Sequence, residues 1–504
     1  MKGNSYPPYP PHVHTTANAN VRNKLPCSKA HIIGGFSTCF SSKDICRKCH
    51  AQYSDLDSRI HDFEGESPHS RWTIEEYDSL HKNTNTRTNI SDVTANENLF
   101  NEFSEPLSDD SQEEMSDSSE EEAKKKFGVK TKCVFNVLQT FHCVESMPPD
   151  SLHDLMEGVI PQDLLGILLI LEDKGWFKLS EYNTALNQFN YSRQEASSKP
   201  QLVPLSNKVK KLSGKAVSHW VHIRIFPYIL MMKNWIRNGD DPVLTLGIML
   251  ADITSRLTAE AFRSHEVNEL EDLIVEYLNL RKRLLEEFPL LGNAKPKHHF
   301  LVHYGDAIRL FGPPSSYWSG RYESKHRIAK AFADSSKCFI NVSYTIAYRQ
   351  QMRMCSIYYR GMYGLMDFKL PDSPFSKEDL GNSLIEMKIR SLMSGAKDLV
   401  TYQIEYNGRL YKVNDLIILN REDYAEIQVG MIKGFLIRKK TIYVIVLNYT
   451  AVQNYLGVFE SSMKSENLKL VNFKTLEDTY PLFRRGTENK FLLILHHFVS
   501  FTHK

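Results

Sequence analysis

The sequence predicts an α+β protein, and three observations carry that prediction. Residues of roughly 133–365 repeat their apolar positions at helical spacing. The last hundred or so residues, from 396, break into short β-branched and aromatic runs separated by turn residues. Between the N-terminal tail and the helical region lies a Cys- and His-bearing segment, 26–80, that fits neither pattern. At 504 residues the chain is long enough for two or three domains. Its 41% hydrophobic and 24% charged content is that of a soluble globular protein.

In chain order, residues 1–25 are Pro- and Asn-rich and read as a disordered tail without the apolar core of a secretory signal. The stretch 84–126 is polar, then Ser- and acid-rich, with little to bury, and is expected to be disordered. Nine acids and no Lys or Arg fall within 105–122, so the remainder carries 62 basic against 51 acidic side chains. A mildly basic body with an acidic insert is compatible with a nucleic-acid partner. "PQDLLGILLILEDKGWF" (161–177) opens on proline and closes near glycine, as a helix does. "HWVHIRIFPYILMMKNWI" (219–236) is the most apolar run. Arg224, Pro227 and Lys233 interrupt it, which predicts a buried helix and no membrane span. "EVNELEDLIVEYLNLRKRLLEEF" (266–288) places Leu270, Leu273, Ile274, Tyr277, Leu284, Leu285 and Phe288 near one stripe. Residues 366–395 read as a linker, and 396–504 as a small β-barrel or sandwich.

Two constellations can carry chemistry. In "DICRKCHAQ", Cys46 and Cys49 have the spacing with which a tight turn presents two thiolates to one ion. No second C-x-x-C exists, but His299 and His303, four apart and so on one helical face, can complete a Cys2His2 zinc centre. His50 and His298 are rival ligands, and a redox pair or two buried thiols are the alternatives. The other constellation is "PPDSLHDLMEGVIP". There Asp150, a plausible N-cap, is followed by His153, Asp154 and Glu157 at spacings that share a helical face. Those four could hold a metal or phosphate, or form an ordinary capped surface. No Gly-rich phosphate loop, G-x-S-x-G elbow or H-E-x-x-H stands out, which removes support from kinase and hydrolase readings.

Taken in order, the C-x-x-C, "DSLHDLMEGV", the long helical stretch, "KHHFLVH", "FGP", Trp318 and "RYE" resemble the catalytic region of CACTA (En/Spm-type) DNA transposases over roughly residues 30–365. The resemblance implies an RNase H-like core, here partial, interrupted by a large, mainly helical insertion. It implies a D-D-E carboxylate set holding two Mg2+ for attack on a DNA phosphodiester. Glu323 then matches the final carboxylate. The V(D)J recombinase, a distant relative in this scheme, has a structural zinc on a cysteine pair and a histidine pair, which supports Cys46, Cys49, His299 and His303 as one Zn2+ site. A DNA partner, a nuclear location and self-association are compatible with the family.

The departures are specific. The family's second Asp stands shortly before the cysteine pair, yet residues 1–43 contain no acid and Pro26 and Cys27 occupy that neighbourhood. Asp44 is the first acid in the chain. The sequence is therefore expected to be N-terminally incomplete relative to the family and catalytically silent, with Mg2+ relevant only if it is active. Two other expectations stand beside this one. An active nuclease could use Asp150, Asp154 and Glu323, or the chain could be a non-enzymatic helical interaction protein.

Overall fold

The computed structural model describes residues 45–46, 48–52, 56, 70–79, 133–206, 209–337, 341–359, 368–395, 397–406, 409–421, 425–439, 441–476, 480–487 and 490–500. The tail at 1–25, Asp44, the acidic insert at 84–126 and most of the 26–80 segment lie outside them. The fold is α+β. In chain order the helices are α1 (Ile74–Ser79), α2 (Cys143–Ser146), α3 (Ile160–Asp173), α4 (Leu179–Gln188), α5 (Ala216–Met232) and α6 (Pro242–Leu257). There follow α7 (Ser264–Glu287), α8 (Pro296–Phe300), α9 (Tyr304–Phe311), α10 (Gly320–Ser336), α11 (Val342–Tyr359) and α12 (Leu384–Leu392). A π-helix, Leu152–Val159, leads directly into α3. No described helix is long and apolar enough to cross a membrane.

The chain divides into two compact units, Met1–Asp150 with Ala294–Phe311, and Ser151–Asn293 with Gly312–Lys504. The first contains α1, α2, α8 and α9. Its largest apolar cluster joins Trp72, Tyr77, Cys133, Phe141, Cys143, Val144 and Met147.

The second unit combines a helical bundle with antiparallel sheets. Helix α5 is the run in which almost every residue is buried, Arg224 and Pro227 included. On it pack α3 and α6, and α7 packs on α6. Gly166 lets α3 approach the turn after α7: a Cβ there would lie 2.9 Å from the Leu291 Cα. The stripe of α7 buries Leu270, Ile274, Tyr277 and Leu284, while Leu273 and Leu285 are only partly covered. Arg281 occupies the same stripe and is 2% exposed. A guanidinium tolerates that position because Asp163 on α3, itself fully buried, receives it through Nε at 2.9 Å and Nη2 at 3.1 Å. The Tyr277 hydroxyl donates to the same carboxylate.

The strands are β1 (Phe368–Lys369), β2 (Leu399–Thr401), β3 (Gln403–Tyr406), β4 (Arg409–Lys412), β5 (Leu416–Arg421), β6 (Glu426–Arg438), β7 (Thr441–Gln453), β8 (Phe459–Asn472), β9 (Arg485–Gly486) and β10 (Phe491–Leu493). They form a three-stranded sheet, β1-β3-β4, and a curled sheet ordered β2-β6-β7-β8-β10-β9 with β5 on β6. Register shifts within β5–β6, β6–β7 and β7–β8 are bulges, the usual means of bending long strands. One face of the sheet feeds a core with Val429, Met431, Tyr449 and Phe491, the other a core with Ile432, Phe435, Val444 and Phe473. The 366–395 stretch is not structureless: it carries β1 and α12, the latter capped by Ser383 with Glu386.

Within this unit the bundle and the curled sheet share a buried ionic knot. Glu195 accepts from Arg224 of α5 and from Arg485 of β9, each at 3.1 Å. Burial raises the Glu195 carboxyl, but the two guanidinium charges outweigh it and hold the group below its ordinary range.

These pairs give two checks. Arg281→Met alone leaves the Asp163 charge buried and unpaired, a loss of about 3–5 kcal/mol read from urea unfolding. Asp163→Leu combined with Arg281→Met should recover part of that loss. The contribution of Glu195, whose folded value is depressed, is full above the ordinary glutamate range of about pH 4.3. It disappears as pH falls through the lower folded value. Acid should therefore lower the urea midpoint of the wild type more steeply than that of Glu195→Gln.

Candidate metal centre

The turn carrying the cysteines is closed by the Ile45 amide donating to the Ala51 carbonyl at 2.8 Å. Its outgoing limb pairs with 70–72: the His50 amide donates to Ser70, the Trp72 amide to Lys48, and Cys49 bridges Arg71. Lys48 donates its amide to the Cys46 sulfur at 3.3 Å and its Nζ to the Val144 carbonyl at 2.6 Å. The histidines stand on the other segment of the same unit. Pro296 opens α8, a 3-10 turn at Leu301–His303 tightens the chain, and α9 follows. The single helix expected under His299 and His303 is thus interrupted, yet both imidazoles face the same point. Arg71 pairs with Asp306 of α9 beside them.

The four side chains converge. Cys46 Sγ lies 3.2 Å from His303 Nε2, Cys49 Sγ 3.2 Å from His299 Nε2 and 3.6 Å from His303 Nε2, and the two Nε2 atoms are 3.2 Å apart. All four residues are buried, and their donor atoms lie within 4.8 Å of one another. A tetrahedral ion holding sulfur at about 2.3 Å and nitrogen at about 2.0 Å requires roughly 3.3 Å between nitrogens and roughly 3.5 Å between nitrogen and sulfur. The observed separations match those to within a few tenths of an ångström. The group can hold a metal ion, and among the described residues it is the one cluster of three or more ligating groups so arranged.

The electrostatics agree with the ligand chemistry. Burial opposes charge on the Cys46 sulfur, but its bond with Cys49 and the neighbouring His303 and His299 outweigh that and hold its thiol well below the ordinary value. Burial keeps His303 neutral by lowering it. Thiolate and neutral imidazole are the forms a metal binds.

The rival ligands are engaged elsewhere. His50 lies tilted against Trp72, with ring centroids 4.5 Å apart, and faces Glu76 at 3.5 Å. His298 uses Nδ1 to accept the Lys295 amide, capping α8.

The second constellation folds differently from its expectation. "LHDLMEGV" winds as a π-helix, not an α-helix. Pro161 has no N–H to offer the Met156 carbonyl five residues back, and His219 of α5 donates its Nδ1–H to that carbonyl instead, at 2.9 Å. The four ionisable groups do not form one exposed face. Asp150 and Asp154 are each 2% exposed, whereas His153 and Glu157 turn outward. His153 meets Glu323 at 3.2 Å through Nε2 and Ser319 at 3.0 Å through Nδ1. Glu157 approaches the same Nε2 atom at 3.9 Å. Ser319 also receives the amides of Tyr322 and Glu323 on its carbonyl, starting α10. It was not singled out from the sequence, although a serine just ahead of "GRYE" is an N-terminal helix signal. A Ser–His–Glu order suggests a nucleophilic relay, but the burial is inverted. Ser319 is 2% exposed and the Glu323 side chain 51%, so the hydroxyl is shut away while the carboxylate meets solvent.

No family model, curated protein or solved structure matches this chain.

Purified protein should carry one tightly held metal ion per chain by elemental analysis. Cys49→Ser should lose it, while His50→Ala and His298→Ala should keep it.

Proposed function

We propose that this chain is a transposon-derived protein of the CACTA type. In this reading a structural zinc pins the cysteine segment of a partial RNase H-like core to the helical insertion, the two-metal chemistry is silent, and DNA is the partner in the nucleus. The C-terminal sheets correspond to its small barrel-like domain. The observation that carries the reading is the convergence of Cys46 and Cys49 with His299 and His303 in one tetrahedral arrangement, with Glu323 following His303 on the next long helix. Zinc suits that ligand set because it accepts two thiolates and two imidazoles without a redox or geometric preference of its own.

The surroundings of Glu323 support catalytic silence. Two-metal phosphoryl chemistry needs carboxylates that flank and bridge ions roughly 4 Å apart. Glu323 instead faces an imidazole, and Asp154, a candidate for a rearranged set, is buried in the π-helix. The acid that would precede the cysteine pair has no counterpart in residues 1–43. The role of His153 is then to anchor the start of α10 through Ser319 and Glu323.

The test uses the metal-loaded full chain and a supercoiled plasmid carrying CACTA element ends. With Mg2+ or Mn2+ the plasmid is expected to stay intact. Nicking that Glu323→Gln abolishes would replace the silent reading with that of an active transposase.

A further inference from the structure

Within the second unit, beside the start of the π-helix, Ser151, Trp220, Glu260, Trp318, Arg409 and Tyr480 line a cavity of about 180 Å3. Two of these residues hold buried hydrogen-bonding groups that meet no partner among the described residues: the Ser151 hydroxyl and the Trp220 indole N–H. Ser151 is 1% exposed and immediately precedes the π-helix, a position from which a serine commonly caps, yet its side chain caps nothing. An orphaned buried polar group destabilises a fold, so two of them around one cavity point to a ligand that answers both.

The walls narrow the choice of that ligand. The Trp318 ring is held against the backbone, since a Cβ on Gly320 would lie 3.1 Å from it. The Arg409 guanidinium lies over Tyr480, 3.6 Å from the ring centroid. Aromatic walls favour a flat ligand, and a guanidinium lying on a ring extends the stack. Glu260 and Arg409 stand 3.7 Å apart, one charge of each sign at the same cavity. A cation would meet Arg409 and an anion Glu260, so a neutral ligand is favoured. An indole N–H only donates, so the ligand must bring an acceptor. A cavity of roughly 150 Å3 takes one benzene, so this one admits a single six-membered ring with its exocyclic atoms and is small for two fused rings. A pyrimidine base meets all four demands. It is neutral and flat, has one ring, and carries carbonyls that accept beside an N–H that donates.

We propose that this cavity binds a single pyrimidine ring, with Trp220 donating to a ring carbonyl, Ser151 bonding a second polar atom of the edge, and Trp318 and Tyr480 bounding the ring. The proposal goes beyond the transposon-derived reading and rests on the cavity alone. Such a ring arrives either on a free nucleoside or as a base turned out of a nucleic-acid strand. The recognition chemistry is the same for both.

The probe is tritiated thymidine, measured by equilibrium dialysis against metal-loaded full-length protein. Saturable binding is expected, with weak competition from adenosine, which is too large, and from benzyl alcohol, which lacks ring carbonyls. Trp220→Phe keeps a ring but removes the donor and should weaken binding by roughly fivefold. Ser151→Ala should weaken binding to a similar extent while leaving the urea midpoint unchanged or raised, because it deletes an orphaned hydroxyl. A serine with a merely structural role would lower that midpoint when replaced. Displacement of thymidine by a duplex with one unpaired thymine, but not by a fully paired duplex, assigns the ring to a strand. Displacement by neither duplex assigns it to free nucleosides. Absence of saturable binding, affinity unchanged in both variants, or equal competition from benzyl alcohol overturns the proposal.

Discussion

Everything in the first unit turns on bringing four side chains to one point across 250 and more residues of chain. Closing so long a loop costs entropy that grows only slowly with length, but nothing local compensates for it. Among the described residues, one apolar cluster at the junction joins Cys46, Cys49 and Ala51 with Ile45 and Phe300. Two thiols and two imidazoles without an ion would be four buried polar groups bonded chiefly to each other. A metal ion held there would convert that liability into binding free energy, which for a site absent from the unfolded chain is folding free energy. The Arg71–Asp306 pair and the Lys48 contact with Val144 then work at the edges of a junction already made.

The second unit solves its long-range problem with charge. Asp163 with Arg281, and Glu195 with two arginines, are buried ionic groups whose partners satisfy them from several sides. Such pairs add little over well-packed apolar residues, but breaking one is costly, so they act against wrong packing. The π-helix belongs to the same logic. A proline removes one donor, His219 supplies another, and the altered winding turns His153 toward the start of α10.

Much of this was legible in the sequence, for identifiable reasons. C-x-x-C and a histidine pair four apart restrict ligand geometry so tightly that residue type and spacing nearly name the site. The spacing of four favoured His299 and His303 over His50 and His298, which are chemically equal, and what engages those two rivals, Trp72, Glu76 and the Lys295 amide, was not legible. The stripe of α7 followed from helical periodicity, whereas Arg281 within it could be placed only by knowing that Asp163 faces it from α3. The face expected for Asp150, His153, Asp154 and Glu157 assumed an α-helical turn. The π-winding and the burial of both aspartates broke that assumption. Strand runs after 396 were visible from β-branched patterning, while pairings such as β2 on β6 and β10 on β8, which skip the chain order, depend on tertiary packing.

The most direct test of the shared metal junction is X-ray absorption at the metal edge of protein purified without added metal. Two sulfur ligands at about 2.3 Å and two nitrogen ligands at about 2.0 Å are the predicted shell, with the sulfur signal lost in Cys46→Ser/Cys49→Ser. A shell of oxygen and nitrogen alone, or an unaltered shell in that variant, would contradict it.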